Sequence, residues 1–338
     1  MQLSILDQAP ISANQTPKEA LEVALKLAQL GETLGYTRYW IAEHHDLPGL
    51  ACSAPEVMLA YLGANTNTIR IGSGATLLPH YKPYKVAEQF HMLATLFPDR
   101  IDLGIGRAPG GSAEATNALS DHFLQNVWDM PKDVQELLCF LDDRFPEGHE
   151  FEQVSATPLP PKPVQPWLLG TSTKSAELAA EYGINYTFGQ FMSTKDGIEI
   201  VKRYRETFKP RTEGQQPKTI VTVSVVCAET TAKAEEIALS SLIWSIKSDS
   251  GEGLNGVPSI EDAKQIHLSE KEKQTLERRK ARMVIGDPAT VRQQLTDVFT
   301  QYQADEVMIV TITYDPKDKY ESYRLIAGDV LVLGSDPH

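Results

Sequence analysis

The feature that most constrains the fold of this chain is a regular alternation of short apolar segments with longer amphipathic ones. In the first cycle, an apolar run at residues 3–6 is followed by Leu21, Leu25 and Ala28 at helical spacing. Strands that alternate with helices pair in parallel, because parallel neighbours need a crossover connection. The eight predicted strands cover residues 3–6, 39–42, 69–75, 101–106, 167–169, 186–188, 219–226 and 306–311.

The first helix carries its own boundary signals. Thr16 precedes Pro17, and Glu19 follows three residues after Thr16, which is the pattern of a capping box. Gly35 comes directly after the last periodic residue, Leu34. We therefore expect a helix that begins at Pro17 and ends before Gly35.

Eight strand-helix units predict an α/β fold: a single-domain (β/α)8 TIM barrel that spans residues 1–338. Between the seventh and eighth strands the chain is longer than one crossover helix requires. We predict an insertion there, with residues 247–284 as a lid over the barrel mouth. The charged segment 259–283 would then be one helix of the lid, although a solvated surface helix is an equally good interpretation of its composition.

Charge and cysteine content restrict the partners and the compartment. Lys and Arg total 32 against 45 Asp and Glu, a formal net charge of −13, which disfavours nucleic acid and anionic membrane surfaces. Cys52, Cys139 and Cys227 are odd in number and widely spaced, so neither a disulfide framework nor a thiolate metal site is indicated. The first residues lack a basic region followed by an apolar stretch, and we expect a cytoplasmic protein.

Catalytic groups of a barrel lie at the carboxyl ends of its strands. In this chain those positions carry ionisable residues, hydroxyl residues and glycines. The fifth strand runs into Gly170, Thr171 and Ser172 at a helix start, where free N–H groups and the helix dipole favour a phosphate. Taken alone, this run is an ordinary helix cap. Arg107 at the end of the fourth strand strengthens the phosphate interpretation, with Glu88 as its expected ion-pair partner.

His44 and His45 follow the second strand and allow several roles. Either could act as a general base near neutral pH, or both could be structural. A metal site is disfavoured, because adjacent strand residues face opposite sides and later strand ends supply no further ligand cluster. A nicotinamide-binding Rossmann fold is also disfavoured, since the spacing of Gly104, Gly106 and Gly110 is one residue too long and opens no helix.

Several motifs resemble the bacterial luciferase-like flavin-dependent monooxygenases, and most of all their uncharacterised oxidoreductase subgroup. The resemblance spans essentially the whole chain, in the family's order. It implies a barrel that binds FMN, reduced by a separate NAD(P)H-dependent flavin reductase, and that uses O2 to oxygenate a small organic substrate through a flavin 4a-hydroperoxide. The matching segments are GYTRYWIAEHH at 35–45, IGSGA at 71–75, DRIDLGIGR at 99–107, LGTSTKSAELA at 169–179 and IGDPATV at 285–291.

The resemblance also assigns residues. Arg107, Ser172 and Ser175, with the backbone at Gly170 and Thr171, would bind the phosphate. Gly74 and Ala75 would meet the isoalloxazine ring through a non-proline cis peptide, and His44 would be the catalytic acid or base. The resemblance further implies four residues that line the substrate pocket: His45, Phe188, Gln190 and Phe191.

The resemblance also implies an oligomeric state and a cofactor preference, and the sequence departs from the family at one position. The family forms homodimers through its second and third helices, and FMN is favoured over deazaflavin by the subgroup. Luciferase has a reactive cysteine where this chain has Gly106, so light emission is not transferred. Two alternatives stay open: a non-catalytic flavin storage protein, and a hydrolase that uses Arg107 and Ser172 to bind a substrate phosphate.

Overall fold

A computed structural model describes residues 1–249 and 255–331 of the chain. Strands form a parallel sheet that closes on itself, because the last strand pairs with both the first strand and the long strand before it. The strands are β1 (Gln2–Asp7), β2 (Arg38–Ile41), β3 (Arg70–Ser73), β4 (Thr76–Leu77), β5 (Ile101–Gly106), β6 (Gln165–Gly170), β7 (Asn185–Gly189), β8 (Thr219–Cys227), β9 (Val284–Gly286) and β10 (Glu306–Val310).

The order around the barrel is β1, β2, β3, β5, β6, β7, β8 and β10. The two-residue strand β4 continues β3 and pairs with the end of β5, while β9 pairs with the end of β8 outside the ring. All these pairings are parallel, so the prediction of a single eight-stranded TIM barrel is confirmed.

Helices connect successive strands on the outside of the barrel. They are α1 (Pro17–Leu34), α2 (Pro55–Ala64), α3 (Pro83–Leu96), α4 (Ala113–Leu119), α5 (Phe123–Leu141), α6 (Thr173–Glu181), α7 (Gly197–Thr207), α8 (Thr231–Asp249), α9 (Ile260–Gln265), α10 (Glu270–Lys280), α11 (Pro288–Gln301) and α12 (Pro316–Val330). The boundaries of α1 are as predicted: the Thr16–Glu19 capping box forms, and Gly35 ends the helix with a φ of 84°.

The core consists of two layers. Residues on alternate strand positions, such as Ile5, Ile71 and Val223, pack outward against the helices. The other positions fill the barrel, where Trp40 and Trp167 meet edge to face at 5.6 Å. This alternation follows from the two-residue period of a strand.

A buried ionic network fills the amino-terminal end of the barrel. The Arg38 guanidinium donates to Asp102 Oδ2 at 2.7 Å and to Glu306 Oε1 at 2.8 Å. Arg70 donates to the other Asp102 oxygen at 2.6 Å, and Trp40 Nε1 donates to Asp102 Oδ2 at 3.0 Å. Three strands and the barrel interior are therefore joined through Asp102.

The insertion between β8 and β10 differs in detail from the prediction. The expected single charged helix at 259–283 is two helices, α9 and α10, separated near Leu268, which is buried and packs with Ile243 and Ile246 of α8. The second helix begins at its own capping box, in which Ser269 Oγ accepts from Glu272 N. Residues 250–254 of the predicted lid lie outside the described residues.

The insertion contacts loops from the opposite side of the mouth. Val257 exchanges backbone hydrogen bonds with the loop after β1, donating to Ile11 O at 2.8 Å and accepting from Ala13 N at 2.9 Å. Trp244 of α8 packs on Gly49 in the loop after β2, where a Cβ would lie 2.7 Å from the indole. The insertion thus reaches across the carboxyl end of the barrel.

Candidate active site

A cavity of about 900 Å³ lies at the carboxyl mouth of the barrel. The ends of β1, β8 and β10 form its floor, with Gln8, Ser224 and Val310. The turn after β7 forms one wall, and α8 and α10 of the insertion form the roof. The volume suits a small organic molecule. Three of the predicted site residues line this cavity: Phe188, Gln190 and Phe191. The others lie outside its lining: His44, His45, Gly74, Ala75, Arg107, Gly170, Thr171, Ser172 and Ser175.

His44 lies in the loop after β2, directly beside the barrel mouth. Its backbone N–H donates to Cys52 O at 2.9 Å, which fixes the loop. Its Nδ1 atom is buried and has no hydrogen-bond partner among the described residues. Burial, and to a smaller extent the neighbouring His45, lower the pKa of His44 to about 4, so the imidazole is neutral near pH 7.

His45 has a different environment. Its Nε2 atom lies 2.8 Å from Glu43 Oε1, and Glu43 also accepts from the Tyr81 hydroxyl at 2.6 Å and from Leu77 N at 3.0 Å. Glu43 is buried, so this network ties the ends of β2 and β4 together. His45 does not border the cavity described above, and its surroundings are those of a structural residue.

The peptide between Gly74 and Ala75 is cis, as the family resemblance implies. Neighbouring glycines make room for it. A Cβ on Gly74 would lie 2.5 Å from Leu6 Cδ1, and one on Gly106 would lie 2.9 Å from Ala75 Cβ. A cysteine at Gly106 would therefore displace Ala75, which gives a steric reason for the departure from luciferase at this position.

The predicted phosphate loop is a reciprocal helix cap. Ser172 Oγ accepts from Ser175 N at 3.3 Å, and Ser175 Oγ donates to Ser172 O at 2.7 Å. Ser175 Oγ also lies 3.1 Å from the Tyr186 hydroxyl. Gly170 is required here, because its Cβ would lie 2.2 Å from Ser175 Oγ. The first N–H groups of α6, beyond those used by the cap, point out of the helix end.

Arg107 lies beside this loop. Continuing the β5–β6 register, in which Ile105 faces Leu168, brings Arg107 level with Gly170. Burial raises the pKa of Tyr186 to about 12, whereas the Ser175 hydrogen bond and the Arg107 charge lower it, which places the guanidinium near the hydroxyl cluster. Arg107 is exposed and makes no ion pair or hydrogen bond with another described residue.

One expected contact is wrong. Glu88 does not pair with Arg107; it accepts instead from Lys85 Nζ at 3.3 Å, one turn earlier on α3. Glu88 lies on α3, whereas Arg107 lies in the loop after β5. Glu88 pairs instead with Lys85, which is three residues earlier on the same helix. Arg107 therefore has its charge available for a ligand.

The three predicted pocket residues at the end of β7 all border the cavity. Phe188 is fully buried, and its ring also packs against Tyr302 at a centroid distance of 5.9 Å. Gln190 and Phe191 face the cavity, and Gln190 Nε2 donates to Arg282 O at 3.4 Å. β7 is four strands from β2 around the ring, so these residues lie across the mouth from His44.

Sequence reasoning missed several residues of the site. Tyr186 joins the phosphate loop only through packing between β7 and α6, and Trp244, Arg278 and Arg282 reach the cavity from the insertion. No local motif marks them; the excess length between the seventh and eighth strands was the only signal. Of the three free cysteines, Cys52 and Cys227 are buried and Cys139 is half-buried.

Two searches of the described residues bear on the class of protein. No group of His, Cys, Asp and Glu side chains at 1–249 or 255–331 is arranged to hold a metal ion. Within the same residues, no helix combines the length and the apolar character needed to cross a membrane.

The fold defines a TIM-barrel protein with a cavity at the carboxyl mouth and with Arg107 beside the capped start of α6. The chain belongs to the luciferase-like monooxygenase family, a family of flavin-dependent enzymes, whose model matches residues 1–306. This confirms the family suggested by the motifs.

Full-length relatives support the assignment. The chain is 35% identical over 322 residues to the "Luciferase-like monooxygenase" of Escherichia coli (strain K12), covering 95% of both chains. It is 36% identical over 332 residues to the N-acetyl-S-alkylcysteine monooxygenase of Bacillus subtilis (strain 168), covering 98% of both. Among solved structures, apo-MsnO8 superposes with a TM-score of 0.87 at 34% identity, with 97% of each chain covered.

Two more distant matches have informative names: one names a bound cofactor, and the other names a component of an enzyme system. The oxygenating constituent of 3,6-diketocamphane monooxygenase, in complex with FMN, shares the fold with a TM-score of 0.72 at 20% identity, covering 98% of this chain and 97% of that one. The oxygenase component of the flavin-dependent trigonelline monooxygenase of Acinetobacter baylyi (strain ATCC 33305 / BD413 / ADP1) is 24% identical over 184 residues, 52% of this chain and 50% of that protein.

Proposed function

We propose that this protein is an FMN-dependent monooxygenase that uses reduced flavin and O2 to oxygenate a small organic substrate at the barrel mouth. The observation that carries the proposal is the unpaired Arg107 beside the Ser172–Ser175 cap at the start of α6. A guanidinium and a helix N-terminus together suit the terminal phosphate of FMN. Reduced flavin, when bound, supplies the electrons that activate oxygen.

The remaining predicted residues have consistent roles in this proposal. Arg107, Ser172 and Ser175, with the backbone of Gly170 and Thr171, hold the phosphate. The Gly74–Ala75 strand end meets the ring, where the absence of a Cβ at Gly74 and Gly106 leaves room for the backbone.

His44 is the proposed acid or base. Because its imidazole is neutral near pH 7, Nδ1 can take a proton or accept a hydrogen bond, and that atom lacks a partner among the described residues. Gln190 and Phe191 line the substrate side, across the mouth from His44.

The insertion excludes water in this proposal. We assign residues 247–284 as a lid, supported by the Val257 hydrogen bonds to the β1 loop and by the contact of Trp244, which precedes this segment on α8, with Gly49. Coverage of the mouth by these residues would slow the loss of a reactive oxygenating species to water.

Two partners complete the proposal. A separate NAD(P)H-dependent flavin reductase would supply reduced FMN, consistent with the relative that is named as an oxygenase component. A homodimer would form through α2 and α3, whose outer faces expose Val57, Tyr61, Met92 and Leu96.

The test is anaerobic titration with FMN and with photoreduced FMN. Arg107→Ala should weaken binding by about tenfold or more, because it removes charge-assisted hydrogen bonds to the phosphate. Arg324→Ala is the matched control, since Arg324 is an exposed arginine of α12 paired with Glu321. Unchanged flavin affinity in Arg107→Ala would exclude this phosphate site.

Admission of air then separates the alternatives. A long-lived absorbance band at about 370–380 nm in the stopped-flow spectrometer supports an oxygenase. Tight binding with immediate peroxide release indicates a flavin storage protein. The absence of any flavin binding leaves the phosphate-binding hydrolase.

A further inference from the structure

The charge of the mouth cavity is opposite to that of the whole chain. The chain has a formal net charge of −13, yet the cavity is lined by Lys195, Arg278, Arg279 and Arg282. No aspartate or glutamate is among the described residues that line it. Low-dielectric walls strengthen the field of such a cluster.

The cationic side chains of the cavity differ in whether a carboxylate of the protein neutralises them. Arg279 pairs with Asp249, so its charge is balanced. Arg278 makes hydrogen bonds only to Gln274 O at 3.3 Å and Thr275 Oγ1 at 2.9 Å of its own helix. Arg282 donates to Gln190 O at 3.3 Å. Within the described part of the chain, neither Arg278 nor Arg282 forms an ion pair with a carboxylate.

The barrel side of the same cavity combines the polar Gln8 and Ser224 with apolar side chains. Phe191, Val310 and Ile312 border it at the barrel mouth, and Met283 and Trp244 border it from the insertion. A ligand that fits this arrangement has an apolar body toward the barrel and an anionic group toward α10. Arginine recognises a planar oxyanion through paired N–H donors, which favours a carboxylate.

We propose that the substrate is an organic acid whose carboxylate is bound by Arg278 and Arg282, with its apolar part directed to the barrel mouth. This inference rests on the proposed function, since it names the substrate class of that same site. The cations could alternatively serve the phosphate of the flavin, so the two anions must be tested separately.

The test measures binding of octanoate, octanamide and octylamine by calorimetry, with FMN affinity measured in parallel. Octanoate should bind about tenfold or more tightly than octanamide, and octylamine should bind least. Arg278→Gln should weaken octanoate about tenfold and leave octanamide and FMN unchanged. Lys271→Gln removes the same charge from an exposed position of α10 outside the cavity lining and should change none of them.

Three results would overturn the carboxylate site: equal affinity for octanoate and octanamide, no octanoate binding at millimolar concentration, or an Arg278→Gln variant that loses FMN affinity but keeps octanoate affinity. A protein that binds octanoate through Arg278 but binds no FMN would leave the anion site standing and reject the monooxygenase proposal. The two ideas therefore fail separately. Arg278 is exposed, so its substitution does not threaten the fold.

Discussion

At the residue scale, two adjacent histidines of the same loop have different physical roles. His45 is held by the buried Glu43, whereas His44 has an unpartnered Nδ1 and a pKa lowered to about 4. The same dipeptide thus contains one ring with a carboxylate partner and one ring nitrogen without a hydrogen-bond partner among the described residues.

We predict that His44 makes folding sensitive to acid. Its folded pKa lies below its ordinary value of 6.5, so between pH 6.5 and about 4 the unfolded chain binds a proton that the folded chain does not. Stability should fall as the pH drops through this window, by up to about 3 kcal/mol. Urea unfolding at several pH values should show a shallower fall for His44→Asn.

The control for this experiment is His267→Asn, at an exposed position between α9 and α10. It should leave the pH dependence of the wild type unchanged. A His44→Asn curve parallel to that of the wild type from pH 4 to 6.5 would contradict the prediction.

At the scale of elements, α6 and α10 both begin at a capping box whose N-cap residue is serine. Ser172 caps α6 at the proposed phosphate site, and Ser269 caps α10 on the outside of the insertion, each in a capping box. The local geometry is the same, but only the first lies beside Arg107. Comparing them separates helix stability from ligand binding.

Ser172→Ala and Ser269→Ala should each reduce the free energy of unfolding by about 1 kcal/mol, the usual loss for a removed N-cap. Only Ser172→Ala should also weaken FMN binding, because only that helix start faces the proposed phosphate. Thermal unfolding and flavin titration of both variants check this. Equal flavin affinities in the two variants would assign Ser172 to capping alone.

At the scale of the molecule, a buried ionic network fills the amino-terminal end of the barrel, and the proposed ligand site lies at the carboxyl end. Asp102 is fully buried and joins Arg38, Arg70 and the Trp40 indole. Removing its charge leaves Arg70 without a carboxylate partner among the described residues and the buried Arg38 with Glu306 alone. This cost is larger than the net contribution of an intact surface pair.

Asp102→Asn should therefore destabilise the protein by about 3–5 kcal/mol. Glu177→Gln, which breaks the exposed ion pair with Arg203, should cost less than about 1 kcal/mol. Urea denaturation of the two variants makes the comparison. Similarly small losses of unfolding free energy in both variants would mean that the buried ionic network contributes little to stability.

The proposed dimer is also tested at this scale. Val57 of α2 is 66% exposed and Met92 of α3 is 54% exposed, and both lie on the outer face of neighbouring helices. Val57→Asp combined with Met92→Glu should convert a dimer into a monomer in analytical ultracentrifugation, because a charge buried at an interface is costly. Leu124→Glu on α5, 76% exposed, should leave the mass unchanged. A wild-type monomer at micromolar concentration would reject the dimer.

Local patterns along the sequence determined much of this protein. Hydrophobic periodicity located eight strands and their crossover helices, and Thr16, Glu19 and Gly35 set the ends of α1, because these signals act over a few neighbouring residues. Motif order indicated the family, the Gly74–Ala75 strand end and the Ser172 loop.

Only the tertiary structure decided which side chains meet. The absence of a Glu88–Arg107 pair among the described residues, the contact of Tyr186 with Ser175 and the cationic roof from α10 depend on how separate elements pack against one another. No local pattern encodes such contacts, since they arise from how the closed barrel packs its helices. The chemistry of the barrel rim could thus be read from the chain, whereas the shape and charge of the cavity above it required the fold.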